Sequence, residues 1–269
     1  MSSRKRQRRD SSCHTPPGLP KVAVATTGDK KRLIYGCDIG TTYSTMGLAR
    51  LENERSSLKN LDIQYVDSYP DEIINYNKSA DCVPTTIYFG EDIGDAVQCG
   101  WSVTQALQEC YPPSPIHHNL NHYIQGFKLL LDTTAATKKL RENLKRKLRA
   151  LVEGGFTTCR KGDDIFVCFF TWWLRHSREW AIARGLEEGV SRPEFVLTMP
   201  SGWDVPSYQR WLKAFDQAIR NVWHIHNDSN PPKIFTISEP SAAASFYLTE
   251  GHHLVEVNHS TEISVVPVH

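Results

Sequence analysis

The sequence predicts an α/β domain in which helices flank a mixed sheet. Three observations carry that expectation. The first third holds short apolar or alternating runs broken by turn residues, the pattern of strands. The middle holds long segments with apolar residues at helical spacing. The last third alternates strand, helix, strand and helix, the order that builds strand pairs with a helix between them.

The elements follow in order. Residues 1–31 contain RKRQRR and SSCHTPPGLP, lack apolar periodicity and are expected to be a disordered basic tail. Order should begin at Arg32, giving one domain over 32–250 and an irregular tail over 251–269. LIYGCDIG is mostly apolar and ends in Gly40, as a buried strand does on entering a turn. TYSTMGLARLE alternates and should pair with it as a hairpin around Gly40 and Thr41. IQYVDSY at 63–69 fits a third strand, and VPTTIYFG at 83–90 a fourth, with Pro84 at its start.

Residues 93–109 suggest a helix, and YPPSPIHHNLNH a loop. GFKLLLD should lead into another helix, with Thr133 and Thr134 as candidate caps. Over 138–152, Leu140, Leu144, Leu148 and Leu151 form one apolar stripe. The basic face opposite is either solvated or a surface for phosphate or nucleic acid. Asp163 and Asp164 can cap a helix over 165–188 that stops at Gly189. Its Phe and Trp residues suit core packing. EFVLTMP at 194–200 is a buried strand, 206–223 a helix and KIFTI at 233–237 another strand. EPSAAASFYL then starts a helix with Pro240 in its first turn. ISVVPV near the end looks like a strand interrupted by Pro267.

Charge is unevenly placed. The net formal charge is +1, but residues 1–32 hold nine Lys or Arg against two acids. The remainder has 22 basic and 28 acidic residues, so the body is mildly acidic and no nucleic-acid surface is expected on it. The seven cysteines include no CxxC pair, which argues for free thiols in a reducing compartment rather than a metal site. No apolar run reaches about 20 residues, so no membrane span is expected. The expected location is cytoplasmic, with the nucleus open because RKRQRR also permits import.

The chemistry concentrates in YGCDIGTTYS at 35–44. A turn between antiparallel strands can aim several backbone N–H groups into one space, a nest for phosphate oxygens. Gly40 permits close approach, and threonine hydroxyls add donors. Asp38 at the strand end can hold Mg²⁺ directly or through its waters. A purely structural hairpin is the rival reading. His118 with His122, His224 with His226, and His252 with His253 lack metal-site context. Neither a GxSxG elbow nor a GxxxxGK[ST] loop occurs.

YGCDIGTTYS closely resembles the first phosphate loop of the seventy-kilodalton heat-shock chaperones, in the actin-like ATPase superfamily with its ribonuclease H-like lobes. VPTTIYFG with IGDAV, FKLLL, FVLTMPSGWDVPSYQRWLKAF and ISEPSAAASFYL resemble further segments of that family in the family's order. The likeness spans about 33–250 and is to the first lobe of the nucleotide-binding domain of divergent members. It implies ATP and Mg²⁺ as cofactors. Asp38 would organise the metal; Gly40, Thr41, Thr42 and Tyr43 would meet the phosphates. Lys128 would stabilise the γ-phosphate, Glu239 would sit near the attacking water or the metal waters, and Pro200 would link nucleotide state to domain motion. The family further implies protein clients or co-chaperones as partners. The plain alternatives are a surface lysine, a glutamate favouring a helix N-terminus, and a proline ending a strand.

The family's second phosphate loop is expected after the alanine-rich helix, where this sequence reads GHHLVEVNHSTEISVVPVH, and no triple glycine occurs. Hydrolysis by this chain alone is therefore not expected, and the last 15 or so residues read like the changed end of a truncated product. Two functions stand side by side: an ATP-binding chaperone-like protein, and a non-catalytic interaction module.

Overall fold

The computed structural model describes residues 31–52, 61–72, 81–90, 97–108, 120–157, 162–226 and 232–245. Strands β1 (Arg32–Ile39) and β2 (Tyr43–Leu51) pair antiparallel from Arg32 opposite Leu51 to Ile39 opposite Ser44. Alternation decides which side each residue takes. Leu33, Tyr35, Cys37 and Ile39 are buried, while Asp38 is exposed. Strand β3 is Ile63–Tyr65, shorter than the run 63–69 suggests, and joins the outer side of β2. Strand β4 (Cys82–Pro84) also pairs with β2.

The expected fourth strand is in fact two strands in two sheets. Strand β5 (Thr86–Tyr88) belongs to a small antiparallel sheet with β6 (Gln98–Cys99) and β7 (Tyr123–Gln125), in the order β6-β5-β7. The break falls at Thr85, whose N–H donates to the Thr42 carbonyl at 2.8 Å and whose hydroxyl meets that of Ser44 at 2.8 Å. These bonds tie the residue to the β1–β2 turn, so the chain changes sheet there. Pro84 consequently ends β4 rather than starting a strand.

Helix α1 is Trp101–Gln108, beginning later than 93 because β6 precedes it. Phe127–Leu131 forms a 3₁₀ turn instead of leading directly into an α-helix. Thr133 and Thr134 do not cap the next helix. Asp132 accepts from the Thr134 N–H at 2.8 Å, and α2 (Lys138–Glu153) starts after Thr137. Within α2, Leu148 and Leu151 are buried but Leu140 is exposed, so the stripe is buried only at its C-terminal end. Helix α3 (Gly162–Ala183) stops before 188; Gly185 and Gly189 then take left-handed conformations as the chain turns back.

Strand β8 (Glu194–Met199) lies parallel to β1, and β9 (Lys233–Ser238) parallel to β8, with α4 (Val205–Trp223) as the crossover. The main sheet is therefore mixed, in the order β3-β2-β1-β8-β9, with β4 also on β2. Helices α3 and α4 share one core with its buried face: Tyr35 stacks on Phe195 at 5.3 Å, Phe195 meets Phe215 at 5.9 Å, and Phe170 meets Trp211 at 4.7 Å. The aromatic helix is core, as its composition suggests. Helix α5 covers 239–245.

Most of the tail at 1–31, most of IGDAV, His118, His252, His253 and ISVVPV lie outside the described residues. His224 takes a left-handed conformation at the end of α4. Among the described residues no helix is long and apolar enough to cross a membrane.

Candidate functional site

The β1–β2 turn is built around Gly40. Its N–H donates to the Tyr43 carbonyl at 2.9 Å, and a Cβ placed on it would lie 2.4 Å from that oxygen. Only glycine fits without moving the backbone. Asp38 precedes the turn on the face opposite the core, and Thr198 of β8 shares that face. Thr198 Oγ1 donates to Asp38 Oδ1 at 2.6 Å.

Lys128 comes from the 3₁₀ turn. Gly126, with φ 68°, sets the entry, and buried Phe127, Leu130 and Leu131 anchor the segment. The lysine is only 5% exposed. A buried ammonium is strongly disfavoured without partners. Here Nζ donates to the Ile39 carbonyl at 2.5 Å and to Glu239 Oε1 at 2.6 Å. It also stands 5.7 Å from the Trp203 ring centre and 5.9 Å from that of Trp211. Lys128 is therefore not a surface lysine.

Glu239 opens α5. Ser238 Oγ accepts from the Ser241 N–H at 3.1 Å, and Pro240 follows in the first turn, a helix start legible in SEP. The far wall is tied in by Ser207 of α4, whose hydroxyl donates to the Leu131 carbonyl at 2.7 Å. Asp204 caps α4 by accepting from the Ser207 N–H at 2.9 Å, and the Ser207 side chain, followed by that N–H, holds its carboxyl below the usual range.

These elements enclose a cleft of about 560 Å³. Asp38, Gly40, Thr41, Lys128, Pro200 and Glu239 all line it. Thr42 and Tyr43 do not: the Thr42 carbonyl accepts from Thr85, and the Tyr43 ring lies 6.3 Å from Trp101. Asp132, Thr198 and Trp203 also line the cleft and were not singled out from sequence. For Thr198 a signal existed, because in FVLTM it alternates with buried Leu197 and Met199, which puts it on the Asp38 side. The hydrogen bond from the Thr134 N–H lowers the Asp132 carboxyl.

The ionisable lining is three carboxylates, Asp38, Asp132 and Glu239, against one ammonium, Lys128. Such a wall repels a bare polyanion and accepts one that arrives with a cation. Among the described residues no cluster of three or more His, Cys, Asp or Glu side chains is placed to hold a metal alone. Mg²⁺ does not need such a cage, since it keeps several waters and takes one or two carboxylates together with phosphate oxygens. Asp38, exposed at the strand end, fits that role.

No protein-family model matches this chain, and no curated protein matches it.

Proposed function

We propose that this chain is a nucleotide-binding lobe of the actin-like ATPase kind, similar to the first lobe of the seventy-kilodalton heat-shock chaperones, and that it takes ATP with Mg²⁺ in the cleft between the β1–β2 turn and Lys128. One observation carries the reading. Four segments far apart in sequence deliver a glycine turn with its acid, a buried lysine, a strand-ending proline and a second acid to one cleft. A cleft of this volume lies within the range of small-molecule sites.

In this reading Asp38 would hold Mg²⁺ through its waters, and the metal would offset the charge of the acidic lining. Gly40 and Thr41 would present the turn to the phosphates. Lys128 would exchange part of its contact with Glu239 or Ile39 for a phosphate oxygen. Thr42 and Tyr43 would support the turn from behind rather than touch phosphate. Calorimetric titration with ATP, with and without Mg²⁺, tests this. Binding should require the metal and disappear in Asp38→Ala. Equal binding without metal, or in Asp38→Ala, would overturn it.

A second reading, a nucleotide-independent interaction module, draws on a different observation. Phe235 on β9 is 52% exposed and Val205 at the start of α4 is 68% exposed. It predicts no heat of nucleotide binding, together with apolar-dye binding that Phe235→Ser reduces.

A further inference from the structure

A second cavity, of about 770 Å³, lies against α2. Helix α2 supplies much of its lining, and the chain from Asn121 to Leu129 and Phe156 supply the rest. Among the described residues, Leu129 alone lines both this cavity and the cleft.

The lining has two characters. Leu140, Leu144 and Leu151 of α2 face it together with Leu129 and Phe156. This accounts for the split in the leucine stripe of α2. Leu148 and Leu151 are buried in the core, whereas Leu140 is 54% exposed and borders the cavity. The polar lining holds the amides of Asn121, Gln125 and Asn143 and the cations of Arg146 and Lys147. None of the described lining residues is acidic. Along its length α2 carries seven Lys or Arg against two Glu, so the field at this cavity favours an anion, the reverse of the acidic cleft.

The walls are fixed by bonds of their own. Lys147 Nζ donates to the Tyr123 carbonyl at 2.8 Å and ties α2 to β7. His122 Nδ1 faces two carbonyl oxygens, of Gly90 at 2.8 Å and Phe89 at 3.1 Å, so it carries the proton and donates. The His122 ring lies 4.2 Å from that of Phe156, whose N–H donates to the Leu151 carbonyl at 3.0 Å. Burial pushes the Lys147 ammonium below the ordinary lysine range, and an anion beside it would offset that cost. Arg146 is exposed and donates to Asn143 Oδ1 at 3.2 Å. Half of the lining side chains are apolar, a surface that a bare phosphate or a nucleic-acid backbone would leave uncovered. The volume lies in the range of small-molecule sites.

We propose that this cavity binds a fatty carboxylate, its hydrocarbon tail along Leu140, Leu144 and Phe156 and its carboxylate on Arg146 and Lys147. The tail covers the apolar half of the lining, and the head meets the two cations. Neither part suffices alone: acetate lacks the tail, and an alkyl ammonium carries the wrong charge.

The test titrates the full chain calorimetrically with decanoate, below its micelle-forming concentration, beside acetate and decyltrimethylammonium. Decanoate should bind at one site and raise the melting temperature with concentration. Acetate and decyltrimethylammonium should give no binding heat. Arg146→Glu and Leu140→Ser alter exposed side chains and should leave the fold intact, and each should weaken decanoate binding roughly tenfold. The proposal is overturned if decanoate gives neither heat nor a melting shift. It is equally overturned if decyltrimethylammonium binds as well as decanoate, or if both variants bind decanoate with unchanged affinity.

Discussion

Gly40 and Lys128 place opposite demands on their surroundings. Gly40 must lack a side chain. In Gly40→Ala the new methyl meets the Tyr43 carbonyl at 2.4 Å, so the turn has to open. Overpacking against backbone destabilises by about 1–3 kcal/mol. A lowered urea midpoint with an unchanged slope would show it, and any Mg²⁺-dependent nucleotide binding should weaken as well. Lys128 must keep its neighbours. Its ammonium sits between the Ile39 carbonyl and Glu239 with two indole rings beside it. Lys128→Met fills the same space and should retain more stability than Lys128→Ala, because removing a buried charge with its volume preserved is far milder than opening a cavity. Both variants should lose the nucleotide response in the same titration. Equal urea midpoints for the two would mean that packing between Trp203 and Trp211 contributes little.

Between elements, Glu194 joins three strands. Its carboxylate, in β8, accepts from Arg32 of β1 at 2.5 and 3.2 Å and from Lys233 of β9 at 3.1 Å. The Arg32 hydrogen bond, with help from Lys233, holds Glu194 below the ordinary glutamate range. A carboxyl lowered on folding stabilises the folded state fully above its unfolded value, and the contribution fades as pH falls through the lowered one. Acid titration of thermal stability should therefore be shallower in Glu194→Gln than in the parent, with the two curves converging at low pH. Parallel curves would remove Glu194 from the acid response. The strands themselves were legible because short apolar runs bounded by turn residues mark β1, β8 and β9, and alternation marks β2. The change of sheet at Thr85 was not, since nothing in VPTTIYFG distinguishes one long strand from two short ones. It depends on bonds to Thr42 and Ser44, more than forty residues earlier for Ser44. The 3₁₀ turn was missed for a related reason. FKLLL has the composition of an α-helix, and burial on several sides, with Gly126 at its entry, selects the tighter form.

For the whole molecule, the site was legible through the separate segments and not through their distances. Asp38, Gly40 and Thr41 could be named from the turn itself, and Lys128, Pro200 and Glu239 only through the family resemblance, yet only the mixed sheet, with β1 central between β2 and β8, brings them to one cleft. Thr42 is identical in kind to Thr41 along the chain, and Tyr43 also carries a hydroxyl, but the hairpin leaves both out of the cleft lining. The same architecture predicts where binding will be felt. Mg²⁺ with ATP should raise the melting temperature by linkage, increasingly with concentration, and Asp38→Ala should flatten that dependence.

Thr85 gives the hairpin a further property. Its amide is held by Thr42 just as the Gly40 amide is held by Tyr43, so the β1–β2 turn is latched to the strand that leads into the small sheet. In solution these two amides should exchange with deuterium in a single opening event, at matching rates and with the same dependence on urea. Thr85→Val keeps the amide but deletes the hydroxyl bond to Ser44, and should speed exchange at both positions together.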